Sequence, residues 1–226
     1  MVAKVIAVVN QKGGVGKSTV CLNLSAGLQA RGHKTMLADG DPQKTSYNTA
    51  RLAPDDMPFP LPVVPLGDSG EKLSVMLSQY LDDYDVIIID GPPSHIAKQT
   101  RSAVAFSDIT IIPMEPSYPD LESSIETSKV IQEIEDSSRT PRIIPTYLLM
   151  NKVERTSINK SIMEMASDKT GRPILNSKLR RLTVFKESVA MGIPVELLKD
   201  PAGAEDVAAL VEEVISLLGL RRRKHT

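Results

Sequence analysis

Tryptophan is absent from the 226-residue chain, phenylalanine occurs three times and cysteine once. So few rings argue against binding single-stranded nucleic acid by stacking bases on aromatic platforms. The lone Cys21 can form no internal disulfide and can supply no cysteine pair to a metal cluster. His33, His95 and His225 are too scattered in sequence to suggest a metal site. Charge of one sign is lacking too: the formal net charge is −1 and the pI about 6.3, so attraction to nucleic acid has to be local. No uninterrupted apolar run approaches the ~20 residues that span a bilayer, and no signal-peptide pattern precedes the first strand, which predicts a cytoplasmic protein.

What is present is the composition of a globular chain, 41% hydrophobic and 24% charged, which suits a single domain over residues 1–226 with a flexible basic tail at 221–226. Apolar, β-branched runs at 4–9, 34–38, 63–66, 86–89, 109–112 and 143–150 read as strands. Several are apolar on both faces, as in a parallel sheet covered on each side. Helical patterns fall between and after them, at 17–30, 71–81, 96–105, 120–135, 157–168, near 184–191 and around 204–218. The expected fold is therefore α/β: one doubly wound, mostly parallel sheet with helices on both faces. Pro54, Pro58, Pro60, Pro62 and Pro65 make 53–65 a connecting loop too short for an inserted domain, and a strand starting at residue 4 leaves no room before it for a separate DNA-reading module.

The strongest chemical signal is residues 10–19, Asn-Gln-Lys-Gly-Gly-Val-Gly-Lys-Ser-Thr, set between a strand and an amphipathic stretch. Gly13, Gly14 and Gly16, with Val15 between them, let backbone N–H groups turn inward around phosphates, and the following helix points its positive end at them. Lys17 can reach the outer phosphates of a nucleoside triphosphate, Ser18 is placed to ligate Mg²⁺, and Thr19 continues the loop into the helix. The generic spacing wants glycine where Gln11 stands, and a second lysine, Lys12, occupies the loop's start.

Two further segments end strands with carboxylates, where open parallel sheets gather ligands. Asp90 closes the run Asp85-Val-Ile-Ile-Ile-Asp90 before Gly91-Pro92-Pro93, which would fix the following loop as a nucleotide-sensing switch. A hard cation needs oxygen ligands, so Asp90 is read as the residue that orients Mg²⁺, directly or through a water. Asp39 and Asp41, two apart on an extended segment, point the same way, and Asp41 before Pro42 also suits a turn.

Lys12 with Lys17, the Asp39-Gly-Asp-Pro-Gln43 segment, Asp90, Pro113-Met-Glu-Pro-Ser117 and Asn151 occur in the order seen in the ParA/MinD family, whose deviant Walker A loop this one resembles over most of the chain. The resemblance implies a P-loop ATPase using ATP and Mg²⁺. It implies that Lys12 reaches across an ATP-dependent homodimer to the partner's nucleotide, that Asp41 orients the attacking water, and that Asp39 supports the Mg²⁺ shell. It implies further that Asn151 reads the adenine edge and that the turn holding Pro194 flanks the base.

In ParA-type relatives the ATP dimer binds non-specific DNA and a ParB-like or other activator protein stimulates hydrolysis, which implies a nucleoid-associated protein positioning DNA or other cargo. Lys178, Arg180, Arg181 and Lys186 are the candidate DNA contacts, with the tail from Arg221 to Lys224 beside them; solvated helix ends are the alternative reading. A MinD-like membrane-cycling ATPase is the second function considered. Val207, Leu210, Val211, Val214, Leu217 and Leu218 do form one helical stripe, but the polar face carries Glu205, Asp206, Glu212 and Glu213 and no aromatic anchor, so membrane binding ranks lower. A relative of the nitrogenase iron protein is disfavoured by the single cysteine, and a P-loop kinase by the lack of an acceptor lid.

Overall fold

The computed structural model describes residues 2–67, 72–93, 98–137 and 142–221. Its elements run β1 (Lys4–Val8), α1 (Lys17–Ala30), β2 (Thr35–Asp39), α2 (Thr45–Ala50), β3 (Val63–Pro65), α3 (Leu73–Ser78), β4 (Val86–Asp90) and α4 (Lys98–Phe106). They continue as β5 (Ile109–Met114), α5 (Tyr118–Ser137), β6 (Thr146–Val153), α6 (Ser157–Thr170), β7 (Ile174–Arg180), α7 (Val184–Met191), a short 3₁₀ turn (Val195–Leu197) and α8 (Pro201–Leu218).

The strands form one parallel sheet in the order β3-β2-β4-β1-β5-β6-β7. Because side chains alternate across a strand, runs apolar at every position feed two cores. Ile6, Val8, Leu37 and Ile88 face α1 and α8 on one side. Val5, Ala7, Met36, Ile87 and Ile112 join Leu73, Val104, Leu121 and Ile162 of α3, α4, α5 and α6 on the other. This is the doubly wound α/β fold that the two-faced strands predict.

The chain leaves β1 between β4 and β5, at the point where the strand order reverses, and the loop from residue 10 to 16 stands over that crevice. β2 and β4 are adjacent in a register that pairs Asp39 with Asp90, so two carboxylates stand side by side at the sheet's C-terminal edge.

Two elements differ from the sequence expectation. The first is β7, whose alternation of buried and exposed residues is that of an edge strand, and which carries Lys178 and Arg180 on extended chain rather than at helix ends. The second is α2, a single short helix too brief to show a period. α8 begins at Pro201, with Asp200 accepting from the Gly203 amide as its cap. Residues 71, 96 and 97, expected in helices, and the tail 222–226 lie outside the described residues.

Candidate nucleotide site

The loop after β1 turns through Gly14 and Gly16 at φ of 80° and 92°, left-handed conformations that glycine adopts without strain. At Gly16 space also demands glycine, because a Cβ there would stand 2.3 Å from Asn151 Nδ2. Gly16 gives α1 no side-chain cap and no acidic residue occupies its first turn. The first amides of the helix therefore keep their positive end available for an anion.

The two loop lysines are held differently. Lys17 is buried and its Nζ donates to the Lys12 carbonyl at 3.0 Å. Burial lowers its pKa, and Asp90 and Asp41 pull it back up. Lys12 instead sends its ammonium to Oδ2 of Asp120 on α5, at 2.6 Å, a carboxylate buried at 3% side-chain exposure that also accepts from Ser117 Oγ. Asn10 ties the loop's start to the same side: its Nδ2 donates to the Pro113 carbonyl, and its Oδ1 accepts from Ser123 Oγ and the Lys12 amide.

The carboxylates gather opposite. Asp90 is buried, and its Oδ2 accepts from Ser46 Oγ at 2.7 Å, while Oδ1 has no hydrogen-bond partner among the described residues. Burial pushes its pKa up to about 6, opposed by the hydroxyls of Ser18 and Ser46 and by Lys17; the nearby Ser18 hydroxyl favours the ionised form without closing a bond to Oδ1. Asp39 is also raised by burial, against amide hydrogen bonds from Tyr47 and Asp41. Asp41 Oδ1 accepts from the Gln43 amide at 2.9 Å, the Asx-type turn its sequence context suggests.

A buried carboxylate oxygen without a donor, beside a hydroxyl and a second carboxylate, fits a hard divalent cation. Ser18, Asp39 and Asp90 carry oxygens of the kind Mg²⁺ takes, while no group of three or more His, Cys, Asp or Glu side chains able to hold a metal ion by themselves occurs among the described residues. Mg²⁺ is commonly held this way, by one or two carboxylates with water and substrate phosphates completing its shell.

Asn151 stands over the loop rather than in open space, with Nδ2 donating to the Val15 carbonyl at 2.7 Å and Oδ1 accepting from the Lys152 amide. Lys152, in a left-handed conformation at φ 52°, donates from Nζ to the Gly14 carbonyl at 2.6 Å and pairs with Glu115. Beside them opens a cavity of about 540 Å³ lined by Gly16, Thr19, Asn151, Leu182, Phe185 and Lys186, a volume within the range of small-molecule and cofactor sites. Pro194 is buried before the 3₁₀ turn and does not line this cavity among the described residues. Ser46, Lys152 and Phe185 escaped the sequence reading. Nothing local marks Ser46 or Phe185, whereas Lys152 follows Asn151 directly and could have been drawn from that neighbour.

The four basic candidates do stand near one another around β7 and α7. Arg180, however, donates to Asp206 at 2.9 Å, to Glu205 at 2.9 Å and to the Ala202 carbonyl, and the Asp206 hydrogen bond raises its pKa. Arg181 bridges Glu115 at 2.8 Å and Glu154 at 2.9 Å. Lys178 and Lys186 are exposed. Of the apolar stripe of α8, Val207, Leu210, Val211, Val214 and Leu218 are buried in the core, whereas Leu217 is exposed. No helix of the described residues is long and apolar enough to cross a membrane. His95, His225 and Arg222, Arg223 and Lys224 lie outside the described residues.

Comparison with known proteins fits this geometry. The CobQ/CobB/MinD/ParA nucleotide binding domain matches residues 6–195. The chain is 30% identical over 212 residues, 93% of its length and 95% of the other's, to the maintenance of carboxysome distribution protein A of Halothiobacillus neapolitanus. It is 27% identical to the chromosome-partitioning ATPase Soj of Treponema pallidum, over 96% of this chain and 99% of that one. Its fold matches the septum site-determining protein MinD of Pyrococcus horikoshii, solved with Mg-ADP, at a TM-score of 0.76 and 23% identity, covering 99% of this chain and 100% of that one.

Proposed function

Because the chain belongs to the CobQ/CobB/MinD/ParA nucleotide-binding family, in its ParA/MinD-type branch, we propose that it is an ATP- and Mg²⁺-dependent dimerising ATPase that positions cargo on DNA with an activator protein. The observation that carries this reading is the division of labour between two lysines on one phosphate loop. Lys17 is turned into the loop against the Lys12 carbonyl, and Lys12 is turned out to Asp120. A part-exposed lysine held away from its own loop by Asp120 is one that could exchange that partner for a second molecule's nucleotide, a role that a single-site P-loop enzyme does not need.

In this account the loop amides, the start of α1 and Lys17 bind the β- and γ-phosphates. Ser18, Asp39 and Asp90 would hold Mg²⁺, which would screen phosphate charge. Asp41 orients the attacking water, and Lys12 leaves Asp120 to reach the neighbouring subunit's nucleotide. Phosphoryl transfer asks little covalent chemistry of the protein, so placement and charge suffice. Hydrolysis would return Lys12 to Asp120 and end the dimer.

Relatives named for carboxysome distribution and chromosome partition support a positioning role. For the DNA surface, Lys178 and Lys186 are the strongest candidates, because carboxylates already hold Arg180 and Arg181. The membrane alternative loses support, since five of the six stripe residues of α8 that would meet lipid are in the core and only Leu217 is exposed.

Nucleotide binding and turnover in two lysine variants test the reading. Lys17→Ala should lose ATP binding. Lys12→Ala should bind ATP with near-normal affinity yet fail to turn it over. Normal turnover by Lys12→Ala sinks the assignment.

A further inference from the structure

Asp41 lies beyond the last residue of β2, so the sheet ladder does not hold it. Its own neighbours fix it in part: its amide donates to Asp39 Oδ1, its carboxylate accepts from the Gln43 amide, and its carbonyl accepts from the Lys44 amide. What backs it from outside is Gly67. The strand before it follows β2 in parallel, Leu66 N donating to the Asp39 carbonyl at 2.7 Å, and the backbone then lies flat against the Asp41–Pro42 peptide. A Cβ on Gly67 would meet Asp41 O at 2.4 Å, Asp41 C at 2.5 Å and Pro42 N at 2.6 Å, all backbone atoms that cannot swing aside.

Gly67 is itself anchored at its far side. Its carbonyl accepts from Nε2 of Gln99 at 3.0 Å, a half-buried side chain in the first turn of α4. α4 is the helix that the chain enters after Asp90 and Gly91-Pro92-Pro93. A contiguous path therefore runs from the helix that follows one carboxylate of the site to the peptide carrying another: Gln99 amide, Gly67 carbonyl, Gly67 α-carbon, Asp41–Pro42 peptide. None of its links is a ladder hydrogen bond or an apolar contact, so neither core packing nor sheet pairing explains why an amide side chain stands at 99.

We propose that Gln99, acting through Gly67, is a positioning residue that sets where the Asp41 carboxylate stands and couples it to α4. This rests on the reading that Asp41 orients the attacking water. The contact touches neither phosphate nor base, so its loss leaves ATP affinity alone and slows the chemical step. A reacting group displaced by a fraction of an ångström loses rate steeply, and about a tenfold fall is expected.

Single-turnover hydrolysis of radiolabelled ATP-Mg²⁺ by the full chain, alongside equilibrium binding of a fluorescent ATP analogue, tests this in a cycle of Gln99→Ala, Asp41→Ala and the double variant. Gln99→Glu, which keeps the length and shape but has no N–H to donate, and Gly67→Ala, which pushes on the peptide directly, serve as second variants. Expected are about tenfold slower hydrolysis in Gln99→Ala, Gln99→Glu and Gly67→Ala, with analogue affinity within about twofold of the parent, and no additional slowing by Gln99→Ala once Asp41 is alanine. Gln99→Ala and Gln99→Glu hydrolysing at the parent rate, while Asp41→Ala is slow, overturn the coupling alone. Equal slowing by Gln99→Ala with and without Asp41 overturns it as well. Parent-rate hydrolysis by Asp41→Ala overturns the water-orienting reading itself, and the coupling with it.

Discussion

Asp90 carries the largest electrostatic burden among the site's residues: a buried carboxylate with one oxygen satisfied by Ser46 and the other without a donor. Its folded pKa of about 6 lies above the usual carboxylate value, so between about pH 4 and pH 6 the folded state binds a proton that the unfolded state has released. The stability that this proton lends is full below about pH 4 and is lost as pH rises to about 6. Asp90→Asn should therefore stabilise the nucleotide-free protein at pH 8 by up to about 3 kcal/mol, a rise in melting temperature of roughly 6–12 °C, and flatten the profile between pH 4 and 6. Thermal melts across pH check this, and Mg²⁺-dependent ATP binding should be lost in the same variant. The Lys12–Asp120 pair makes the opposite prediction. Lys12→Ala leaves Asp120 buried with Ser117 as its donor and should lower nucleotide-free stability by about 1–2 kcal/mol in urea unfolding, less than a fully buried pair because Lys12 is 38% exposed. Residues of this kind were legible in sequence when their chemistry is local. Lys12, Lys17, Asp39, Asp41 and Asp90 announce themselves by spacing at strand ends, and the structure brings the carboxylates together. Ser46 and Asp120 were not legible, because what ties each to the candidate site is a partner 44 or 108 residues away.

Elements were legible where both faces of a strand are apolar and where a helix has length enough for a period. β7 lacked the first property and α2 the second. The edge position of β7 explains its polar alternation and also how α8 protects it. Glu213 accepts from the amides of Asn176 and Ser177, and Asp206 accepts from the Arg180 amide, so carboxylates of one helix satisfy backbone donors of an edge strand. Burial works to raise the Glu213 carboxyl, but the amides of Ser177 and Asn176, with the Asn176 side chain, hold it below its usual range. Asp206→Ala removes acceptors for both the Arg180 amide and its guanidinium and should cost about 2 kcal/mol, read as a fall in the urea midpoint with an unchanged slope. Asp200→Ala, which removes the α8 cap, should cost about 1 kcal/mol by the same measurement.

At the scale of the whole molecule, the near-neutral charge restricts the proposed DNA binding to a small surface, and the ion pairs of Arg180 and Arg181 leave Lys178 and Lys186 as its candidates. Reversing both lysines to Glu should weaken ATP-dependent co-sedimentation with plasmid DNA and reduce the slope of log affinity against log salt by roughly 2, whereas unchanged binding moves the surface elsewhere. The central claim, that Lys12 leaves its own chain's Asp120 to complete a neighbour's site, is tested most directly by multi-angle light scattering with Mg²⁺ and a saturating, non-hydrolysable ATP analogue. A species of twice the 24.6 kDa chain mass is expected for the parent protein and a single-chain mass for Lys12→Ala. A parent protein that stays at 24.6 kDa, or a Lys12→Ala variant that doubles its mass as readily as the parent, contradicts it.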